Sequence, residues 1–168
     1  MTLSDVRRHA SDATTSNGDY SEQKNAAAWE LFNLDRIDRA TRIERFIAEQ
    51  IEKKSGYNCT ITRPNWEWDI TVNLEDKPVR VEVKSSIQKR GFAGAYQIAN
   101  VKPWLFDYLF VVFVTPEGTK IAWARSYDVS KFCHTKTENC NGYMLNLNIK
   151  KFDNGAYPWL RDISEFPY

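Results

Sequence analysis

The stretch that decides the fold is Trp66-Glu-Trp-Asp-Ile-Thr-Val-Asn-Leu-Glu-Asp-Lys-Pro-Val-Arg-Val-Glu-Val-Lys84. Each half alternates apolar and polar side chains with period two, which is typical of half-buried strands. The polar break at residues 75–78 predicts a turn, so we expect a β-hairpin with strands over 66–74 and 79–87. The apolar face of the first strand is then predicted to carry Trp66, Trp68, Ile70, Val72 and Leu74.

The predicted hairpin gathers three charged side chains on its polar face. If residues 76 and 77 form a two-residue loop, Ile70 pairs with Val83 and Asp69 faces Lys84. Glu82 then lies one diagonal step from Asp69 on the same side of the sheet. Two carboxylates and an ammonium on one patch can hold a divalent cation and place a water beside it.

The same residues resemble a known nuclease motif. Asp69 followed, after a spacer, by Glu82-Val-Lys84 is similar to the PD-(D/E)XK motif of restriction-endonuclease-like nucleases, although Trp68 stands where the family's name has proline. The resemblance covers about residues 36–126 and implies an α/β fold, a restriction-endonuclease-like core with a central mixed β-sheet flanked by helices. It also implies a Mg²⁺-dependent DNA endonuclease in which Mn²⁺ can substitute. Asp69, Glu82 and the main-chain carbonyl of Val83 would hold the metal, and Lys84 would position and help deprotonate the attacking water.

A long helix over about residues 34–54, stopped by Gly56, adds a fourth candidate. Glu44 falls inside its apolar stripe, where a carboxylate is costly unless it is paired or bound to metal. Because many nucleases of this family carry a Glu on the helix before the hairpin, the resemblance implies that Glu44 is a catalytic residue and metal ligand. The alternative is a boundary residue that reaches solvent or pairs with Arg or Lys. The stripe itself is predicted to consist of Ile37, Ala40, Ile47 and Ile51.

Candidate DNA contacts follow the hairpin. Residues 85–106 contain no Asp or Glu, and Lys89, Arg90 and Lys102 supply the positive charge that phosphate contacts require. The alternative is an ordinary solvated surface. The resemblance assigns Gln97 and Lys102 to the Gln and the basic residue that precede an apolar strand, and it implies double-stranded DNA as substrate and a homodimer. A helix is predicted over about 93–106, bent near Pro103.

The chain of 168 residues is predicted to form one domain. Residues 1–24 are expected to be a mobile or loosely packed arm, and residues 25–168 a nuclease domain with its core at 36–126 and a variable addition at 127–168. No apolar run approaches the roughly 20 residues that span a bilayer, and the first residues lack a signal-peptide core. We therefore expect a cytoplasmic protein without a membrane partner. Further strands are predicted at 57–63, 108–115, 119–126 and 143–151.

A short cysteine and histidine pattern near the C-terminal end allows two interpretations. Cys133-His134 with Cys140 is suggestive of zinc, but the only other histidine is His9, so free thiols are expected.

The net charge of +1 argues against a generic polyanion-coating protein and is compatible with an acidic site beside a basic surface. Besides a restriction-type enzyme, the chain could be a structure-selective recombination or repair nuclease, or a non-catalytic nucleic-acid-binding protein that reuses the fold. RNA stays open as a substrate.

Overall fold

The computed structural model describes residues 26–62, 66–87, 94–115, 118–132, 135–136 and 142–167. The helices are α1 (Ala26–Asn33), α2 (Arg36–Ser55), α3 (Ser126–Phe132) and α4 (Ile149–Asp153). A 3₁₀ turn follows at Ile163–Glu165. The strands are β1 (Cys59–Ile61), β2 (Ile70–Asn73), β3 (Pro78–Ile87), β4 (Ala95–Val101), β5 (Tyr108–Val114), β6 (Thr119–Arg125), β7 (Thr135–Lys136), β8 (Tyr143–Asn148) and β9 (Arg161–Asp162).

A mixed six-stranded sheet, in the order β1-β2-β3-β5-β6-β9, forms the centre of the fold. Strands β3 and β5 are parallel, and the other neighbours are antiparallel. Strand β5 reads Tyr-Leu-Phe-Val-Val-Phe-Val and is buried after its first residue, because both faces of the sheet are covered at this position. The predicted α/β class, with a central mixed sheet flanked by helices, is confirmed.

Each face of the central sheet is covered by a different layer. On one face α2 packs its buried residues, such as Ile47 and Ile51, against Ile70 and Val81. On the other face lies a three-stranded sheet in the order β4-β8-β7, together with α3 and α4. The segment 127–168 contributes to the central sheet, to which β9 adds the sixth strand, and to the second layer, in which β8 pairs with β4.

The C-terminal segment also closes the core on the α2 side. Phe166 is 3% exposed and packs edge-on to three aromatic rings of the sheet. Lys54, near the end of α2, donates hydrogen bonds to the main-chain oxygens of Ser164 and Phe166. This segment therefore fixes the end of the helix that carries Glu44. The rings that Phe166 contacts are those of Tyr108, Phe110 and Trp123.

The hairpin forms, but its predicted register was wrong by two residues. Ile70 pairs with Val81, not with Val83, and the connection spans residues 74–77 instead of two residues. Apolar–polar alternation fixes which face a residue takes, whereas loop length fixes the register. Because the slip is an even number of residues, every side chain keeps its predicted face.

Strand β2 begins at Ile70, because the chain bends over residues 67–69. Trp66 is consequently 60% exposed, so its predicted place on the buried face was wrong. Trp68 is half-buried, and its indole nitrogen donates a hydrogen bond to Thr71 Oγ1 at 2.9 Å. The alternation of the sequence therefore extends further than the strand does.

The predicted helix over 93–106 was also wrong, since residues 95–101 form strand β4 against β8. The register shifts between Ile98 and Val101, and Asn100 takes a left-handed conformation with φ 56°. This bulge spaces the buried side chains unevenly along the segment, and it hides the period-two pattern. The predicted strand at 143–151 ends at Asn148, whose side chain accepts hydrogen bonds from Lys150 N and Lys151 N and so starts α4.

The long helix α2 is confirmed with both of its ends. Asp35 Oδ1 accepts hydrogen bonds from Ile37 N and Asp38 N, and Gly56 ends the helix with φ 76°. Ile37 is 77% exposed, so it does not belong to the predicted apolar stripe. Within the described ranges, no helix is long and apolar enough to cross a membrane. The predicted arm at 1–24 lies outside the described residues.

Candidate active site

Asp69 lies where β2 and β3 diverge, and two hydrogen bonds to the main chain of β3 hold it there. Its main-chain nitrogen donates to Val81 O at 3.0 Å, which extends the ladder one residue beyond β2. Its side-chain Oδ2 then accepts a hydrogen bond from Val83 N at 2.7 Å. The carboxylate thus takes the place of the next strand partner, and its position beside β3 is set by the backbone.

Glu82 and Lys84 project from the same side of β3, as alternation requires, and form an ion pair. Glu82 is 8% exposed, and no other charged residue among those that the structure describes is buried to this degree. Burial raises the pKa of Glu82. The Lys84 ammonium opposes that rise, and the negative charge of Asp69 adds to it. Burial likewise raises the pKa of Asp69, against the hydrogen bond from Val83 N and the charge of Lys84.

Glu44 reaches the same place from α2. Its pKa is raised to about 7, first by burial and then by the negative charges of Asp69 and Glu82, against the opposing charge of Lys84. The shift records that the three carboxyl groups lie within electrostatic reach of one another, although α2 and the hairpin are separate elements. The structure therefore brings together all four predicted catalytic residues: Glu44, Asp69, Glu82 and Lys84.

A cleft of about 300 Å³ opens between α2 and the second half of β3. The cleft is lined by Glu44, Asp69, Val83 and Lys84. The carboxyl groups of Glu44 and Asp69 therefore border a space that a ligand could enter. Clefts of this size are at the lower end of the range for small-molecule sites.

The donor set suits a hard divalent cation. Mg²⁺ is commonly bound through one or two carboxylates and keeps several waters, and Asp69 and Glu82 offer two carboxylates side by side. The three acids, of which Glu82 is buried and the other two are half-buried, face one ammonium and leave an excess of negative charge that a cation would offset. Within the described part of the chain, no three His, Cys, Asp or Glu side chains are already gathered into a metal cage. Glu44 could therefore join such a site only as a ligand that moves in from α2.

The predicted DNA contacts are not all at this site. Lys102 is near Glu82, since its charge lowers the pKa of that residue. Gln97 is exposed on β4, where its Nε2 donates to Met144 Sδ at 2.7 Å, and it does not line the cleft. Lys89 and Arg90 lie outside the described residues, as do the three residues of the zinc pattern.

Two basic residues of the cleft were missed from the sequence. Arg36 and Arg39 line the end of the cleft that lies towards the start of α2. In the sequence they are marked only by lying on the same helix as Glu44, eight and five residues before it, which does not by itself distinguish them from other exposed arginines. Since the residues after Glu44, such as Ile47, pack against Val81, the part of α2 before Glu44 lies beside the part of β3 after Val83, where Ser85 and Ser86 line the facing wall.

No protein-family model matches the chain, and no curated protein matches it. Among solved structures, the chain is similar to the bacterial homing endonuclease I-Ssp6803I, with 17% sequence identity and a TM-score of 0.42. The aligned part covers 64% of this chain and 75% of that one. A likeness at this level carries no inference about the chemistry of the chain.

Proposed function

We propose that the protein is a Mg²⁺-dependent endonuclease of restriction type, which hydrolyses phosphodiester bonds of double-stranded DNA. The observation that carries the proposal is that Asp69 and Lys84 line one cleft together with Glu44 from a separate helix, while Glu82 is ion-paired with Lys84 beside them. A surface hairpin with a chance ion pair does not explain why a buried and a half-buried carboxylate lie close to a third carboxylate from a separate helix.

The acidic residues act by holding the cation. Asp69 and Glu82, with the main-chain carbonyl of Val83, are the proposed ligands, and Glu44 would join them by moving in from α2. When bound, Mg²⁺ neutralises charge on the phosphate and polarises the phosphoryl group. The hydrogen bond from Val83 N holds Asp69 Oδ2 and so fixes this carboxylate beside β3, at the cleft that Asp69 lines.

Lys84 acts on the attacking water and on the phosphate. Its ion pair with Glu82 holds Nζ beside the carboxylates, in the wall of the cleft. From there the ammonium can donate a hydrogen bond to the oxygen of a water, which favours loss of the water's proton to solvent, and it can offset the charge that develops on the phosphate. Histidine is not needed for this chemistry, which suits a chain with two histidines.

The test is cleavage of supercoiled plasmid with Mg²⁺, with Mn²⁺ and with EDTA. Lys84→Met keeps the aliphatic stem and removes the ammonium, so we expect its rate to fall on the order of 10²-fold or more. Lys53→Met is the matched control, because Lys53 is exposed on α2 and lies about 13 Å along the axis from Glu44. Cleavage that persists in EDTA, or at full rate in Lys84→Met, would contradict the proposal.

The pattern of products separates the related activities. Discrete fragments from a long DNA of known sequence indicate a restriction-type enzyme. Cutting confined to branched DNA would instead assign a structure-selective recombination or repair nuclease, and cutting of RNA alone would change the substrate class. Binding without turnover under any divalent ion would indicate a non-catalytic nucleic-acid-binding protein. The proposed enzyme is a homodimer that cuts both strands, so light scattering on a DNA complex should give two chains.

A further inference from the structure

The cleft has an acidic end and a basic end. Glu44 and Asp69 lie at the first, whereas Arg39 and Arg36 lie towards the second. At 1.5 Å per helical residue, the two arginines are about 7.5 Å and 12 Å before Glu44 along α2. A ligand that fills the cleft therefore meets carboxylates at one end and guanidinium groups at the other.

The two arginines differ in what already binds them. Arg39 is half-buried, and its Nη1 donates hydrogen bonds to Phe32 O at 3.2 Å and Leu34 O at 3.0 Å. It therefore stabilises the corner between α1 and α2. Arg36 is exposed and has no hydrogen-bond or ion-pair partner among the residues that the structure describes. Its guanidinium is the group at this end that is available to a ligand.

The electrostatics of this end favour an anion. Burial lowers the pKa of Arg39; the carboxylate of Asp35 opposes this, and the positive charge of Arg36 adds to it. The two cations thus repel each other, and an anion between them would relieve the repulsion. The start of α2 cannot bind that anion through the nitrogens of Ile37 and Asp38, because Asp35 Oδ1 already accepts from both. Side chains must do so instead.

The facing wall offers one hydroxyl. Ser85 lies on β3 two residues after Val83, so alternation turns it towards α2. Ser86 also lines the cleft, but its Oγ donates to Ile87 O at 3.2 Å. Ser85 and Arg36 are therefore the pair across the cleft with donors for an oxyanion.

We propose that Arg36, with Ser85 opposite it, forms a phosphate subsite that holds a phosphodiester of the DNA strand beside the one that is cleaved. The identity of this ligand rests on the proposed function. A planar guanidinium binds phosphate oxygens in pairs, which fixes position as well as charge. The subsite orients the strand so that the neighbouring phosphate lies at the carboxylate end. Arg36 is thus a positioning residue that acts on binding and register.

The first test measures DNA binding in EDTA, where no cleavage is needed. Fluorescence anisotropy of a labelled duplex over a range of salt concentrations gives the slope of log K against log salt. Arg36→Gln should reduce that slope by about one unit, since one phosphate contact is lost. Arg45→Gln is the matched control, because Arg45 is exposed on the same helix but does not line the cleft. An equal loss in Arg45→Gln, or no loss in Arg36→Gln, overturns the subsite.

The second test identifies the phosphate. Duplexes in which one internal phosphate at a time is replaced by a neutral methylphosphonate should weaken binding of the wild-type chain at one position. That position should have no further effect in Arg36→Gln. Coupling that appears only when a 5′-phosphate is changed to 5′-hydroxyl would overturn the internal assignment and leave a terminal-phosphate site. In Ser85→Ala, the methylphosphonate at that same position should again change binding less than it does in the wild-type chain, but the reduction should be smaller than in Arg36→Gln.

The two proposals fail separately. If plasmid is never cut but Arg36 couples to one phosphate, the subsite stands and the nuclease assignment falls. If plasmid is cut and no phosphate couples to Arg36, the nuclease assignment stands and the subsite falls. In a cutting enzyme, Arg36→Gln should raise KM more than it lowers kcat, because its contact is made in the bound state as well as in the transition state.

Discussion

Replacing Asp69 separates its structural role from its proposed metal role. Asn keeps an oxygen that can accept the hydrogen bond from Val83 N, which Asp69 Oδ2 accepts at 2.7 Å. Ala removes the acceptor and leaves the Val83 N–H without a partner inside the protein. An unsatisfied buried donor costs about 1–3 kcal/mol, so Asp69→Ala should lose about 2 kcal/mol of unfolding free energy.

Asp69→Asn should be close to neutral in stability. A hydrogen bond to a neutral oxygen is weaker than one to a carboxylate, which is unfavourable. Burial raises the pKa of Asp69, however, so removal of the buried charge is favourable and offsets that loss. We expect a net change below about 1 kcal/mol. Asp76→Asn, in the exposed hairpin loop, controls for removal of a carboxylate as such.

Urea and thermal unfolding followed by far-ultraviolet circular dichroism measure these differences. For a chain of this size a change of 1 kcal/mol shifts Tm by about 2–4 °C, so Asp69→Ala should melt about 4–8 °C lower. Mg²⁺ at ten times its Kd should stabilise the wild-type chain by about 1.4 kcal/mol, and it should stabilise neither Asp69 variant. If Asp69→Asn is destabilised as much as Asp69→Ala, or keeps the Mg²⁺ shift, the division of roles is wrong.

Three further predictions concern the scaffold of the site. Phe166→Ala removes a ring whose centroid lies 4.9–5.3 Å from three others, so it should lower the unfolding free energy measured in urea by about 3–5 kcal/mol. Phe46 is 45% exposed, so the control Phe46→Ala should lower it far less. In Asp107→Asn the chain loses the paired hydrogen bonds to Arg80, at about 1–3 kcal/mol. Burial would raise the pKa of Asp107, but Arg80 holds it below its usual value. The difference in unfolding free energy between wild type and Asp107→Asn should therefore be full above about pH 4, and it should shrink as the pH falls through the pKa of Asp107 in the folded protein. Gly56→Ala, at φ 76°, should lower stability by about 1 kcal/mol with unchanged cleavage rate, which thermal melts and plasmid assays check together.

The elements that sequence reasoning placed correctly are those whose pattern is local. Alternation in β3, the apolar run of β5 and the ends of α2 each depend on residues within one element. Glu44 was found for the same reason, because a carboxylate inside an apolar stripe is anomalous without reference to any partner. Its position in the cleft then follows from the packing of α2 on β3.

The misplaced elements depend on partners that are distant in sequence. Strand β4 pairs with β8, whose residues follow some 47 positions later, and its bulge removes the local alternation. The hairpin register depended on a loop whose length the alternation does not specify. Arg36 was missed because an exposed arginine on a helix becomes notable only when the opposite wall of the cleft is known.

The observed register leaves room for the cleft, whereas the predicted register would not. In the observed hairpin the ladder stops at Asp69, while β3 continues to Ile87 with β5 on its other side. Among the residues that the structure describes, no strand pairs with β3 on its β2 side from Val83 onward, and the side chain of Asp69 caps this edge. An open strand edge beside a helix is what forms the cleft, and the residue that ends the ladder is also the first proposed ligand. With the two-residue loop, Trp68 and Ser85 would have paired and the strand would have filled the space that the cleft now occupies.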